Sequence, residues 1–233
     1  MASVAASQVA MAAIIGNPTA LNAVVTSQVA MAAVASSQVA MAAIIANATA
    51  LNAVVTSSVA MASVAASQVA MTAVAASQVA MTAIIGNPTA LNAVVTSQVA
   101  MTAVAASATA RAAVCASDVA YNYLLSKATF DTISGQYTRS GWSTRYAKPC
   151  IVLKWCYSYN SGTSGIRTCL DGTASRQYTG TQRYNSSMGS NTYNDHAEKN
   201  GTYYKEFVFC SKLETYNSQS DWPAISIAYF PLP

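Results

Sequence analysis

Residues 61–80 read MASVAASQVA-MTAVAASQVA, two consecutive copies of a ten-residue unit that fills residues 1–110 without a gap. In every copy position 1 is Met or Leu, position 4 is Val or Ile, position 7 is Ser or Asn, and position 10 is Ala. The register continues to residue 120, with Arg111 in place of Met. This period of ten therefore decides the fold of about half of the chain.

The repeats lack the side chains that chemistry needs. Residues 1–110 contain no Asp, Glu, Lys, Arg, His or aromatic residue, so all 12 basic and 8 acidic side chains lie beyond them. General acids, bases and nucleophiles cannot be assembled from neutral hydroxyls and amides alone. The composition predicts three segments: a decapeptide-repeat shaft (1–110), degenerate capping repeats that form a collar (111–139), and a β-rich C-terminal domain (140–233).

The period favours short helices over one long helix. Ten helical residues turn through about 1000°, about 80° short of three full turns, so a continuous helix would rotate its apolar face with every copy. Pro18 and Pro88 at position 8 would break such a helix but suit its first residue. Ser and Asn at position 7 are typical N-cap residues. The predicted caps are Ser7, Asn17, Ser27, Ser37, Asn47, Ser57, Ser67, Ser77, Asn87, Ser97, Ser107 and Ser117.

On a helical wheel, positions 10, 4, 1 and 5 form an apolar side and positions 8, 2 and 6 a polar side. A helix of eight or nine residues is not stable alone, so it must stack on its neighbours in the chain, on other chains, or both. The absence of charge favours apolar stripes of several chains meeting on one axis. We predict an α+β protein with an oligomeric shaft of short capped helices; a β-spiral or β-solenoid shaft and an overwound coiled coil are the alternatives.

The C-terminal half has the patterns of a small β domain. Alternating residues predict strands at 151–159, 203–210 and 224–230, with Trp155 and Phe207 in the core. The polar segments 160–165 and 184–201 are predicted loops, where binding surfaces usually lie. Aromatic residues in polar surroundings could stack on a sugar ring. The candidate receptor-binding residues are Tyr178, Tyr184, Tyr193, Tyr216, Trp142 and Trp222.

Catalytic and metal sites are weakly indicated. His196, the only histidine, lies in a polar segment typical of a solvated loop. Asp171 and Asp221 could form the carboxylate pair of a glycosidase, but among eight carboxylates some such pair can always be chosen. No Cys-x-x-Cys motif occurs, so neither a metal nor a cofactor is predicted. The five thiols are predicted to be free or buried, with disulfides formed after release as the alternative. They are Cys115, Cys150, Cys156, Cys169 and Cys210.

Composition also bears on location and partners. No apolar run reaches the ~20 residues of a membrane span, and no basic cluster suggests nucleic acid. The N-terminal residues MASVA do not resemble a secretory signal. We therefore expect synthesis in the cytoplasm, without membrane insertion.

The decads Met71–Ala80 and Met101–Ala110 have the form M-x-A-V-A-x-S-x-x-A. They resemble the repeats of tail fibre and receptor-binding proteins of tailed bacteriophages, over about residues 1–130. The resemblance implies a non-enzymatic, homotrimeric fibre of the virion tail, attached to other tail or baseplate proteins. Its tip would contact a bacterial surface glycan or protein. The alternatives are a structural spacer or filament subunit, and a polysaccharide depolymerase.

Overall fold

The computed structural model describes residues 1–134, 143–158, 161–170, 173–183, 204–217 and 224–232. The chain divides into two compact units, which we call the helical unit (Met1–Ala120) and the β unit (Tyr121–Leu232). The protein is therefore α+β, with helices before the strands.

Thirteen short α-helices lie within the described residues, and all but the first have eight or nine residues. The β-spiral and the coiled coil are both wrong. The helices are α1 Ala2–Ala5, α2 Gln8–Ile15, α3 Pro18–Val25, α4 Gln28–Ala35, α5 Gln38–Ile45, α6 Ala48–Thr56, α7 Ser58–Ala65, α8 Gln68–Ala75, α9 Gln78–Ile85, α10 Pro88–Val95, α11 Gln98–Ala106, α12 Ala108–Cys115 and α13 Asp118–Leu125.

One extended residue at position 7 separates each helix from the next. Ser67 has φ −103° and ψ 119°, whereas Ala76 at position 6 of the next decad is still right-handed helical. The Ser67 N–H bonds to the Val64 carbonyl at 3.0 Å, which closes the preceding helix. Five consecutive helix pairs are bent by 92° to 104° at such breaks. A single residue per decad therefore redirects the chain.

Position 7 also caps the helix that follows. Ser67 Oγ accepts a hydrogen bond from the Ala70 N–H at 3.2 Å, and Asn47 Oδ1 accepts one from Ala50 at 3.0 Å. All twelve residues assigned as caps make this bond. Each such cap stabilises its helix by about 1 kcal/mol.

The helices form a solenoid with three helices per turn. Helices α1 to α12 each pack on their chain neighbours and on the helices three places away, as α8 does on α5 and α11. Thirty residues complete a turn, and the helical unit has three faces. We call them face I (α2, α5, α8, α11), face II (α3, α6, α9, α12) and face III (α4, α7, α10).

The apolar positions of the repeat are buried inside this single chain. Ala70, Met71, Val74 and Ala75, at positions 10, 1, 4 and 5, are each at most 2% exposed. Burial of each such side chain is worth ~1 to 3 kcal/mol, depending on its size. The stripe that was expected to face other chains instead packs on successive turns of its own chain. The apolar stripe is therefore buried within the chain, and oligomerisation stays a prediction.

The β unit contains two four-stranded antiparallel sheets with strand orders β1-β8-β3-β6 and β2-β7-β4-β5. Its strands are β1 Thr129–Ser134, β2 Ser143–Tyr146, β3 Cys150–Ser158, β4 Ser161–Leu170, β5 Thr173–Arg183, β6 Tyr204–Cys210, β7 Lys212–Asn217 and β8 Ala224–Pro231.

The three predicted strands are confirmed as β3, β6 and β8. One sequence-based assignment was wrong: segment 160–165 was expected to be a loop, but β4 begins at Ser161. The segment 111–139, predicted as degenerate capping repeats, contains the end of α12, helix α13 and strand β1, which pairs with β8.

The core of the β unit draws on both sheets. Trp155 of β3 and Ile227 of β8 cluster with Leu213 of β7. Trp155 and Phe207 are 4% and 5% exposed, which confirms that both are core residues. These contacts pack the two sheets of the β unit against each other.

Candidate functional site

The structure places two of the six candidate binding residues on the two strands that flank β4. Tyr178 of β5 pairs with Ile166 of β4, and Tyr216 of β7 pairs with Gly165 on the other side of β4. Their role in receptor binding stays a prediction.

The remaining candidates lie outside the described residues. They are Trp142, Tyr184, Tyr193 and Trp222 for binding, and His196, Asp171 and Asp221 among those considered for catalysis. Among the residues that the structure does describe, no three His, Cys, Asp or Glu side chains lie close enough to hold a metal ion.

The sequence did not reveal a cluster of one lysine and two aromatic rings, which we call the basic aromatic cluster. Lys205 Nζ lies 4.4 Å from the ring centre of Tyr121 and 5.9 Å from that of Phe207. The two rings meet edge to face, with centres 5.3 Å apart. Tyr121 and Lys205 are distant in sequence, so only the fold brings them together.

A bulge places Phe207 in this cluster. Val208 pairs with Val152 and Lys205 with Lys154, so two residues of β6 lie opposite the single residue Leu153. Phe207 adopts a φ of 39°, which a side-chain-bearing residue rarely does, and its side chain is buried. The bulge thus turns the strand locally while the ring stays in the core.

The basic aromatic cluster has a defined chemical character. Lys205 is exposed and Tyr121 is half-buried. An ammonium over a ring face is held by the ring quadrupole, worth about 0.5 to 1 kcal/mol at an exposed site. The same ammonium can donate hydrogen bonds to a carboxylate or hydroxyl of a ligand. Its chemistry therefore suits an acidic or hydroxyl-rich ligand such as a glycan.

Two further lysines of the β unit lie over aromatic rings. Lys154 Nζ is 5.9 Å from the ring centre of Phe130, and Lys127 Nζ is 5.6 Å from that of Tyr123. Lys154 is 4% exposed, whereas Phe130 is 45% exposed. Partial burial raises the pKa of Tyr123, so its hydroxyl stays protonated and can donate a hydrogen bond. Paired lysines and rings thus recur in this unit.

Two buried thiols face each other across β3 and β6. Cys150 Sγ lies 3.3 Å from Cys210 Sγ, and the two residues are register partners. The hydrogen bond to Cys210 and burial both raise the pKa of Cys150 well above its ordinary range. Neither they nor Cys115 forms a disulfide. A protonated thiol in the core is a poor nucleophile, so this pair is structural.

A groove of about 900 Å³ lies on face III of the helical unit, between α4 and α7. It exists because Ala32 and Ala62 are small and Ser58 replaces the usual Gln at position 8. Its polar lining consists of hydroxyl and amide groups, so it offers neither charge nor a titratable group. We assign it no chemistry.

Neither protein-family models nor curated protein sequences match this chain. Within the described residues, no single helix is both long and apolar enough to cross a membrane. Five bent pairs of consecutive helices have sufficient length and composition.

Proposed function

We propose that this protein is a non-enzymatic tail fibre of a bacteriophage, in which the helical unit is a spacer and the β unit binds a bacterial surface glycan or protein. The observation that carries the proposal is the division of chemistry between the two units. The first 110 residues have no charge or aromatic ring, whereas the β unit holds exposed Lys205 against Tyr121. The resemblance of the decads to phage fibre repeats supplies the biological setting.

The physical properties of the helical unit support a spacer. Each turn uses the same caps and buries the same positions, so turns can be added without a new core. The resemblance further implies three chains, virion attachment through tail or baseplate proteins, and a multivalent tip. Several weak glycan contacts on linked tips would together give tight adsorption.

Adsorption of the full chain to a panel of bacterial cells, together with binding to an array of bacterial glycans, tests the proposal. In a host strain that binds the wild type, we expect Lys205→Ala to weaken binding at least tenfold, because the ammonium contact is lost. Lys127→Ala removes another exposed lysine of the β unit and is the matched control. Binding that survives Lys205→Ala, Tyr178→Ala and Tyr216→Ala in separate variants would contradict a role for these described residues.

Two alternatives predict other outcomes. A structural spacer or filament subunit would bind no cell in the panel while forming its assembly normally. A depolymerase would release reducing ends from the surface polysaccharide of cells that bind it.

A further inference from the structure

We infer that face I of the helical unit is the surface on which a second copy of this chain docks. The inference deepens the proposed fibre, since it names the contact between its copies. It rests on the solenoid, which separates the repeats into three faces that the sequence alone does not distinguish.

Only on face I do all helices begin with the same four residues, Gln-Val-Ala-Met, at residues 8, 38, 68 and 98. The exposed position 2 that follows is Ala in the first two of these helices and Thr in the other two. On face II the helices begin PTAL, ATAL, QVAM and ATAR, and on face III they begin QVAM, SVAM and PTAL. Folding does not need identical exposed side chains every thirty residues, because the core positions are buried on all three faces. A partner that repeats with the same period would need them.

The exposed side chains of face I are suited to contact another copy of themselves. Val9 is 81% exposed, Val39 40% and Val69 41%, whereas Val99 is half-buried. Exposed valines also occur on the other faces, with Val29 78% and Val79 64% exposed, so the repeated pairing of valine with glutamine is what distinguishes face I. The glutamines occupy position 8 of every turn, and an amide both donates and accepts hydrogen bonds, as Gln68 Nε2 does in donating to Thr72 Oγ1 at 3.3 Å. Amides of two identical faces can therefore hydrogen-bond to each other.

The remaining polar groups of face I are engaged within their own helices. Thr72 Oγ1 donates to the Gln68 carbonyl at 2.7 Å, and Thr102 Oγ1 donates to the Gln98 carbonyl at 2.8 Å. No helix of face I carries a charge, so no ion has to be desolvated when two copies meet. A charged partner would find no complementary group there, which favours a second copy over an acidic or basic protein.

The size of face I matches a weak, concentration-dependent contact. Four eight-residue helices, each ~12 Å long and stacked at ~9 Å, cover roughly 430 Å² per copy in flat projection. The corrugated accessible surface is larger, which brings two copies close to the ~1,000 Å² at which specific interfaces begin. Joining full chains along this face would therefore be reversible.

Sedimentation of the full chain over a range of concentrations tests the inference. Gln38→Glu with Gln68→Glu places carboxylates on face I with almost no change in shape. Gln28→Glu with Gln78→Glu is the matched control, because these equally exposed glutamines occupy position 8 on faces III and II. All four are first residues of a helix, where a negative charge favours the folded state, so both variants will fold.

We expect the wild type to self-associate, the face I variant to dissociate with at least a tenfold higher dissociation constant, and the control to behave as the wild type. Lowering the pH from 7 to 3.5 protonates part of the new carboxylates, since an exposed Glu has a pKa of about 4.3 and the helix N-terminus lowers it, so association of the face I variant should partly return. A trimer that the face I variant dissociates supports the inference equally.

A monomeric wild type, or equal effects of the two double variants, would overturn the inference. Cell binding is measured separately, so the two proposals can fail independently. A monomer that still adsorbs to cells contradicts the docking face alone, whereas an associating chain that binds no cell contradicts the proposed receptor function alone.

Discussion

At the scale of single residues, the serine at position 7 has two roles. Ser67 Oγ accepts from the Ala70 N–H at 3.2 Å and donates to the Ala35 carbonyl at 2.6 Å. Ala35 is the last residue of α4, so one hydroxyl caps α8 and also satisfies the last carbonyl of α4, four helices earlier. The same pairing over 32 residues recurs at Ser37, Ser57, Ser97 and Ser107.

Ser67→Ala is therefore expected to cost more than loss of a cap alone. It removes both bonds, for about 2 kcal/mol of unfolding free energy, because each is worth about 1 kcal/mol. Ser77→Ala is the control: the Ser77 hydroxyl, within the described residues, bonds only to Ala80, so about 1 kcal/mol should be lost. Urea denaturation followed by circular dichroism measures both. Equal losses in the two variants would show that the bond between turns adds nothing.

The buried thiol pair predicts selective reactivity. The pKa of Cys150 is raised, so at pH 8 its thiolate fraction is below that of an ordinary cysteine, and Cys150 and Cys210 should resist iodoacetamide in the native protein. Half-buried Cys115 should react first. Peptide mass mapping before and after denaturation checks this. A Cys150–Cys210 peptide that becomes modifiable only after reduction would instead reveal a disulfide.

At the scale of the helix, the start of each element depends on position 8. Pro18 and Pro88 begin α3 and α10 directly after an asparagine cap. The related helix α6 begins with Ala48 after Asn47, in nearly the same cap conformation. Helices with nearly the same cap conformation therefore begin with proline in two cases and with alanine in the third.

Ala48→Pro should stabilise the helical unit by about 0.4 to 1 kcal/mol, because proline restricts the unfolded chain and position N1 needs no amide hydrogen. The contrasting variant Ala53→Pro lies inside the same helix and should cost about 3 kcal/mol or more. Thermal unfolding monitored by circular dichroism measures both. A lower melting temperature for Ala48→Pro would contradict the capped-helix geometry at Asn47.

At the scale of the molecule, the helical unit is modular in steps of ten residues. A deletion of residues 38–67 removes one complete turn and keeps the cap, the bend and face I in register. A deletion of residues 63–67 removes half a decad and with it the extended cap Ser67, so the bend between α7 and α8 is lost.

We expect the thirty-residue deletion to keep the helical signal per residue and to melt cooperatively, because every remaining turn retains its core. The five-residue deletion should lower both the helical signal and the melting temperature. Circular dichroism of the two purified deletion variants measures the helical signal and the melting temperature of each. If both melted as the wild type does, the period of ten would not control folding.

The sequence by itself determined the local structure of this protein. Helices, caps and proline positions follow from side chains acting on backbone groups within three or four residues, as at Asn17 and Pro18. The β strands of the second half were partly visible as alternating residues. Trp155 was placed in the core, but its core partners are Cys150 and Val152, not Ile151 and Leu153, because a bulge between Val152 and Lys154 changes the alternation.

Only the tertiary structure decided how the elements combine. The bend at each break decides whether the short helices stack within one chain or between chains. A bend of about 100°, as in the five helix pairs described above, brings the chain back onto its own previous turn after three helices. The same long-range geometry places Lys205 over Tyr121 and puts the strands of Tyr178 and Tyr216 on either side of β4. Interactions within a decad specify its helix and cap. The solenoid and the β sheets, in contrast, depend on the sum of many bends and on the pairing of strands that are distant in sequence. The faces of the molecule therefore exist only once the chain has closed its turns.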